Sequence, residues 1–260
     1  MKKIFGWLFL FTMLFSAPVL FAQDDDLDDL DFSEDEEYND MEKTYFALGG
    51  GYMANLFQPN FDEINNLVVD QLGFDKLDGY MLLHGGEGFV AVGSYNVRIG
   101  FFSYGGTEFV EKQVGSIDKK FEYYAGVNGL SINYALYTPF ENTMLIIMPG
   151  VNVGWGRLAL EHSQSSSDAD WSNIKPEADS VNFTNRMESG FLFVQPTINL
   201  EWAPTSFMVF RVAVSYTITG QYEWEYNGLS GFSDEGAVPD EVNANGMSVQ
   251  LGIFFGLFNY

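Results

Sequence analysis

The residues of this chain that could do chemistry are few: two histidines, a short stretch of serines, and four charges set among apolar and small residues. His162 opens the serine-rich stretch Ser163–Ser167, which supplies the residue types of a hydrolytic base and nucleophile. Such a pair works only if the base is aimed at the nucleophile and a third group orients the base. No glycine turn that could form an oxyanion hole flanks His162, and a solvated loop histidine is the plainer reading. His84 lies in Leu83-His84-Gly85-Gly86-Glu87-Gly88. The run is glycine-rich, as a phosphate cradle is, but it lacks the P-loop spacing and no helix follows it. Glycine in a strand also lets neighbouring backbones and bulky side chains pass closely.

Arg98, Arg211, Glu201 and Glu87 are the more informative set. Each falls on a strand face shared with glycine and small polar residues. Isolated charges in a narrow, water-poor interior are costly unless paired, so the four are expected to form an internal ion-pair network. Its role is either structural, filling and fixing a lumen, or that of a gate in a small pore. A third candidate site, for calcium, is the acidic run from Asp24 to Glu42. That run lacks the glycine and the distal glutamate of an EF-hand loop. Acids this dense repel one another and bury no core, so residues 23–43 read as a disordered acidic tail. No metal or cofactor site is expected, and no catalytic residue is assigned.

The elements that must position these residues follow from the rest of the chain. Lys2 and Lys3 precede an apolar run from Ile4 to Phe15, and Ala22 is followed by Gln23 and acids. This is the plan of a secretory signal peptide over residues 1–22, too short in its apolar part for a spanning helix. With no cysteine, disulfides and lipid-modified cysteines are excluded. The formal charge of −24 argues against nucleic acid as a partner.

From Thr44 onward the chain alternates with period two. Leu145, Ile147, Pro149, Val151, Val153 and Trp155 share one face, opposed by Ile146, Met148, Gly150, Asn152 and Gly154. The same pattern runs through Phe191–Trp202, Met208–Thr219 and Met247–Leu257. The apolar faces are uninterrupted for five or six alternate positions, about the height of a bilayer core at ordinary strand tilt. The opposite faces carry glycine, hydroxyls and amides, as a narrow barrel interior requires.

Eight strands are expected, at Thr44–Met53, Gly79–Val92, Tyr95–Val110, Lys120–Tyr137, Thr143–Glu161, Phe191–Trp202, Phe207–Glu225 and Met247–Phe258. The links after the second, fourth and sixth are short. Glu111–Lys119 is of medium length, and the links after the first, fifth and seventh are long and polar. An even count with this alternation gives short periplasmic turns, outward loops and both termini on one side. The first loop is expected to hold a short helix, capped by Asn60 with Glu63 placed for a capping box. Phe61, Ile64, Leu67, Val68 and Leu72 recur at helical spacing before Gly73. Trp155, Trp202, Tyr222 and Trp224 are candidates for the membrane-interface aromatics.

Signal, strand number, loop alternation and the aromatic end (Phe254, Phe255, Phe258, Tyr260) together resemble the small OmpA- and OmpX-like outer-membrane β-barrel proteins. The resemblance covers residues 44–260. It implies an all-β, closed antiparallel up-and-down transmembrane barrel in a bacterial outer membrane. It also implies outer-membrane lipid around the wall and recognition of the last strand by the barrel-insertion machinery. The expected function is non-enzymatic, structural or surface-interacting and porin-like in build with little or no pore, its extracellular partner unspecified. Two alternatives stay open. A soluble lipocalin-like barrel would turn Ile147, Val151, Val212, Val214 and Ile253 inward around an apolar ligand, and an outer-membrane lipid-modifying enzyme would use His162 and Ser163.

Overall fold

A computed structural model describes residues 45–77, 79–137, 145–166, 181–230 and 238–259. The expected signal peptide, the acidic tail and Tyr260 lie outside the described residues. Eight long strands are formed: β1 Phe46–Pro59, β2 Met81–Val92, β3 Val97–Val114, β4 Ile117–Tyr134, β5 Leu145–Ser166, β6 Phe183–Thr205, β7 Met208–Tyr226 and β8 Gly246–Asn259. Each pairs antiparallel with its neighbours in sequence, and β8 pairs with both β7 and β1. The sheet therefore closes on itself and leaves no edge through its middle.

The closure is staggered. Following facing residues from Gly49 on β1 through Phe89, Gly100, Ser131, Asn152 and Gln195 leads to Thr217, Gly246 and then Pro59. The path returns to β1 ten residues farther on. Such a stagger forces the strands to tilt, and at eight strands it leaves an interior just wide enough for side chains.

Parity sets what faces where. On β6 Leu192, Val194, Ile198, Leu200 and Trp202 are exposed on the outside, while Phe193, Gln195, Thr197, Asn199 and Glu201 are buried within. Strands β7 and β8 repeat this, with Phe210, Val212, Val214, Tyr216 and Ile218, then Met247, Val249, Leu251 and Phe255, outermost. The wall is apolar and the lumen mixed, the reverse of a soluble barrel.

Several expected boundaries move. The link Glu111–Lys119 is a two-residue turn, Gly115–Ser116, with Gly115 at φ 66°. Strand β6 starts at Phe183 rather than Phe191, and its pairing with β7 shifts register between Ser189 and Phe191, with the extra residue on β7. Periodicity weakens in these stretches because both faces are polar, but the backbone ladder needs no apolar side chain, and opposite charges pair across it.

In the first loop Asp62–Asn65 is one helical turn, continued by a π-helical turn over Asn66–Gln71. The Asp62 amide donates to Asn60 Oδ1 at 3.0 Å. Glu63 does not close a capping box but accepts from Asn66 Nδ2 at 3.3 Å. Phe61, Ile64 and Val68 are buried, with Phe74 and Leu77, in the core that also holds Met81, Tyr123 and Val242. Gly73 takes φ 68°, which ends the helix as a left-handed glycine does, and its carbonyl accepts from Lys112 Nζ at 2.7 Å.

Candidate functional site

Arg98, Glu201, Arg211 and Glu87 are brought together in the lumen. Arg98 enters β3 two residues after the left-handed turn residue Asn96, and Glu87 lies midway along β2. Glu201 and Arg211 face each other directly across β6 and β7. Arg98 Nη1 reaches Glu201 Oε2 at 2.8 Å, and Arg211 Nε reaches Glu201 Oε1 at 2.6 Å. Arg211 Nη1 also pairs with Glu87 Oε2, whose other oxygen accepts from Ser131 Oγ at 2.8 Å. Arg98 and Glu201 side chains are 0% exposed.

Two cations and two anions leave the cluster neutral, and aromatic rings cover its remaining guanidinium faces. Arg98 lies 4.3 Å from the Phe89 centroid and Arg211 4.1 Å from that of Phe254. The sequence pattern singled out the four charges but missed Ser131, Phe89 and Phe254. Their inward parity was legible; their meeting was not, since it depends on the register of strands far apart in the chain.

Amides fill the lumen elsewhere. Tyr104 Oη and Asn152 Nδ2 both donate to Gln195 Oε1, at 3.2 and 2.8 Å, and Gln195 Nε2 donates to Thr217 Oγ1 at 2.8 Å. Asn199 Nδ2 donates to Asn133 Oδ1 at 2.8 Å. Beyond this lie Phe102, Phe191 and Phe193, and then the first-loop residues. A cavity bordered by Asn55, Tyr104, Gln195 and Ser248 measures about 10 Å³, room for one water at most. This arrangement holds the lumen charges in place.

The two histidines stand apart from the cluster. His162 turns inward, edge-on to Phe74 at 5.7 Å and Phe183 at 5.1 Å. Burial, with the Lys119 charge second, holds its imidazole below the ordinary value. Ser163, the next residue of β5, points to the opposite side of the strand, so the expected base and nucleophile do not meet. His84 faces outward, and its following glycine does what a close-passing strand needs: a β-carbon at Gly85 would overlap the Ser103 carbonyl.

Trp155, Trp202 and Tyr222 are exposed on the outer wall. Trp224 does not join them. The register shift in the β6–β7 pairing sets it opposite the buried Ser189, and its ring packs against the core. The inward orientation required by the lipocalin-like alternative is overturned as well, because Ile147, Val212 and Val214 are exposed outside.

Above Trp155 the wall turns charged, a feature the sequence pattern did not single out. Arg157 pairs with Glu188, which also accepts from Arg186 Nε at 3.0 Å, and Arg186 Nη1 lies 3.4 Å from Glu161. Lys120 pairs with Glu122 and lies 3.8 Å from Glu111. The Arg157 guanidinium holds the Glu188 carboxyl below the usual carboxylate range.

No helix among the described residues is long and apolar enough to cross a membrane. Closed register, apolar wall and filled lumen define the class: an eight-stranded, closed antiparallel transmembrane β-barrel. Solved structures similar to this chain are of that kind. The attachment invasion locus protein Ail of Yersinia pestis is 12% identical, covering 83% of this chain and 99% of its own, with a TM-score of 0.39. Neisserial surface protein A is 9% identical over 81% and 96%, with a TM-score of 0.38. A major outer membrane protein of Thermus thermophilus is 9% identical over 81% and 100%, with a TM-score of 0.41. No family model and no curated protein matches the chain. At such identities no activity passes from these proteins to this chain.

Proposed function

We propose that this protein serves in a bacterial outer membrane as a non-enzymatic barrel, structural or surface-interacting through its extracellular loops, conducting little or nothing. The supporting observation is the filled lumen: a neutral Arg–Glu cluster, an amide layer and aromatic rings in succession inside an apolar wall. Its partners in this reading are the surrounding outer-membrane lipid and, during assembly, the insertion machinery acting on β8. Two measurements test it. Unheated and heated gel samples of membrane-extracted protein should migrate differently, as a detergent-resistant barrel does. In planar bilayers the inserted protein should give no steady conductance, and a sizeable steady current would overturn the non-conducting role.

A further inference from the structure

Among the described residues the apolar outer wall is interrupted on β2 to β5. On β6, β7 and β8 the outward positions between the aromatic ends are apolar, but on β2 to β5 two adjacent rows are not. One row runs His84, Gly105, Gly126, Arg157, and the other runs Ser103, Asn128, Trp155. These rows line a cleft of about 420 Å³ on the outside of the barrel. Gly105 and Gly126 form its floor, and the Tyr124 ring folds down over them, so that a β-carbon at Gly126 would overlap the Tyr124 hydroxyl.

Among the described residues, the side-chain polar atoms of His84, Ser103, Asn128 and Tyr124 make no hydrogen bond within the protein, while their backbones pair in the ladder. A polar side chain facing hydrocarbon without a partner is costly, and these are gathered along one rising seam rather than scattered. The cleft opens upward onto Arg157, which gives one donor group to Glu188 and keeps others of its five N–H donors for a second anion. It thus rises from the apolar belt to a cation at the level where lipid headgroups begin.

We infer that this cleft binds one glycerophospholipid, its phosphate on Arg157 and its glycerol and ester oxygens on Asn128, Ser103, Tyr124 and His84. Trp155 flanks the headgroup, and the acyl chains continue down the apolar wall. The glycine floor supplies the depth that side chains occupy elsewhere on the wall. This inference rests on the outer-membrane barrel reading.

The test is native mass spectrometry of the full chain in detergent micelles titrated with dioleoylphosphatidylglycerol, in parallel with dioleoylglycerol, which lacks the phosphate. One retained phosphatidylglycerol per barrel is expected, with dioleoylglycerol retained at least about ten-fold less, as for loss of a hydrogen bond to a charged group. Arg157→Gln should weaken phosphatidylglycerol retention by about the same factor and leave dioleoylglycerol unaffected. Gly105→Leu fills the cleft without removing a polar group, and His84→Leu/Ser103→Leu/Asn128→Leu makes the patch like the rest of the wall. Both variants should keep the heat-modifiable gel shift and lose the adduct. Equal retention of the two lipids, or an undiminished adduct in the shifted variants, overturns the lipid site alone. A wild-type chain with no gel shift and no insertion overturns the barrel reading, and this site with it.

Discussion

Arg98 and Glu201, separated by 103 residues in sequence, meet at 2.8 Å with neither side chain exposed. Glu201 holds two arginines at once, and each arginine also lies against an aromatic ring. Removing Glu201 therefore leaves two buried cations short of an anion. Glu201→Gln is expected to destabilise the barrel by about 3–5 kcal/mol, the usual effect of breaking a buried pair from one side. Replacing Arg98 and Glu201 together by Met should cost clearly less than the two single changes added. Urea unfolding of lipid-reconstituted protein, run as a double-mutant cycle, measures both.

The outward and inward faces of β7 should respond oppositely to charge. Val214 is exposed on the wall at the middle of the apolar belt, next to the inward Ser215. Val214→Arg is expected to cost about 2–4 kcal/mol in lipid vesicles, the depth-dependent penalty for a cation at the bilayer midplane. A change near zero would mean that the face meets water.

Glycine matters where strands approach too closely for a side chain. Gly85 is such a point, where a β-carbon would run into the Ser103 carbonyl and the Tyr104 Cα. Gly85→Val should sharply lower the yield of heat-modifiable barrel. Gly220, which has nothing within 4 Å of its would-be β-carbon, should accept alanine with the yield unchanged.

The charged band above Trp155 carries a pH dependence of definite sign. The Glu188 carboxyl, held low by Arg157 and then Arg186, contributes stability that is present above the ordinary carboxylate range. That contribution is lost as pH falls through the ordinary range and on through the lowered folded value. Hydrogen exchange at residues 157–161 and 186–188 should quicken over that window. In Glu188→Gln the acid-dependent increase should be smaller, and an equal increase would place the titration elsewhere.

The first loop is held by its apolar face. Ile64 is buried beneath the helical turn, and burying such a side chain contributes roughly 1.5–3 kcal/mol. Ile64→Asp should release the loop to limited proteolysis between β1 and β2. Conductance should remain absent, because the Arg–Glu cluster and the Phe102, Phe191 and Phe193 rings lie farther down the lumen.

Strand count, wall side and the four lumen charges were readable without coordinates. Parity is a local property: Leu192 and Trp202 share a face with Ile198 wherever the strand lies, and Glu201 must then face the other way. The short helix after Asn60 was equally local, although its continuation as a π turn was not. What only the tertiary structure decided is register. The ten-residue stagger brings Ser131 to Glu87 and Arg98 to Glu201, and it aligns Gly105 with Gly126 beside Arg157. A single irregularity between β6 and β7 turns Trp224 from the wall to the core. Such facts depend on which residues of distant strands lie opposite one another. Period-two alternation fixes the side on which a residue falls but leaves its height along the barrel free, and height determines which residues meet.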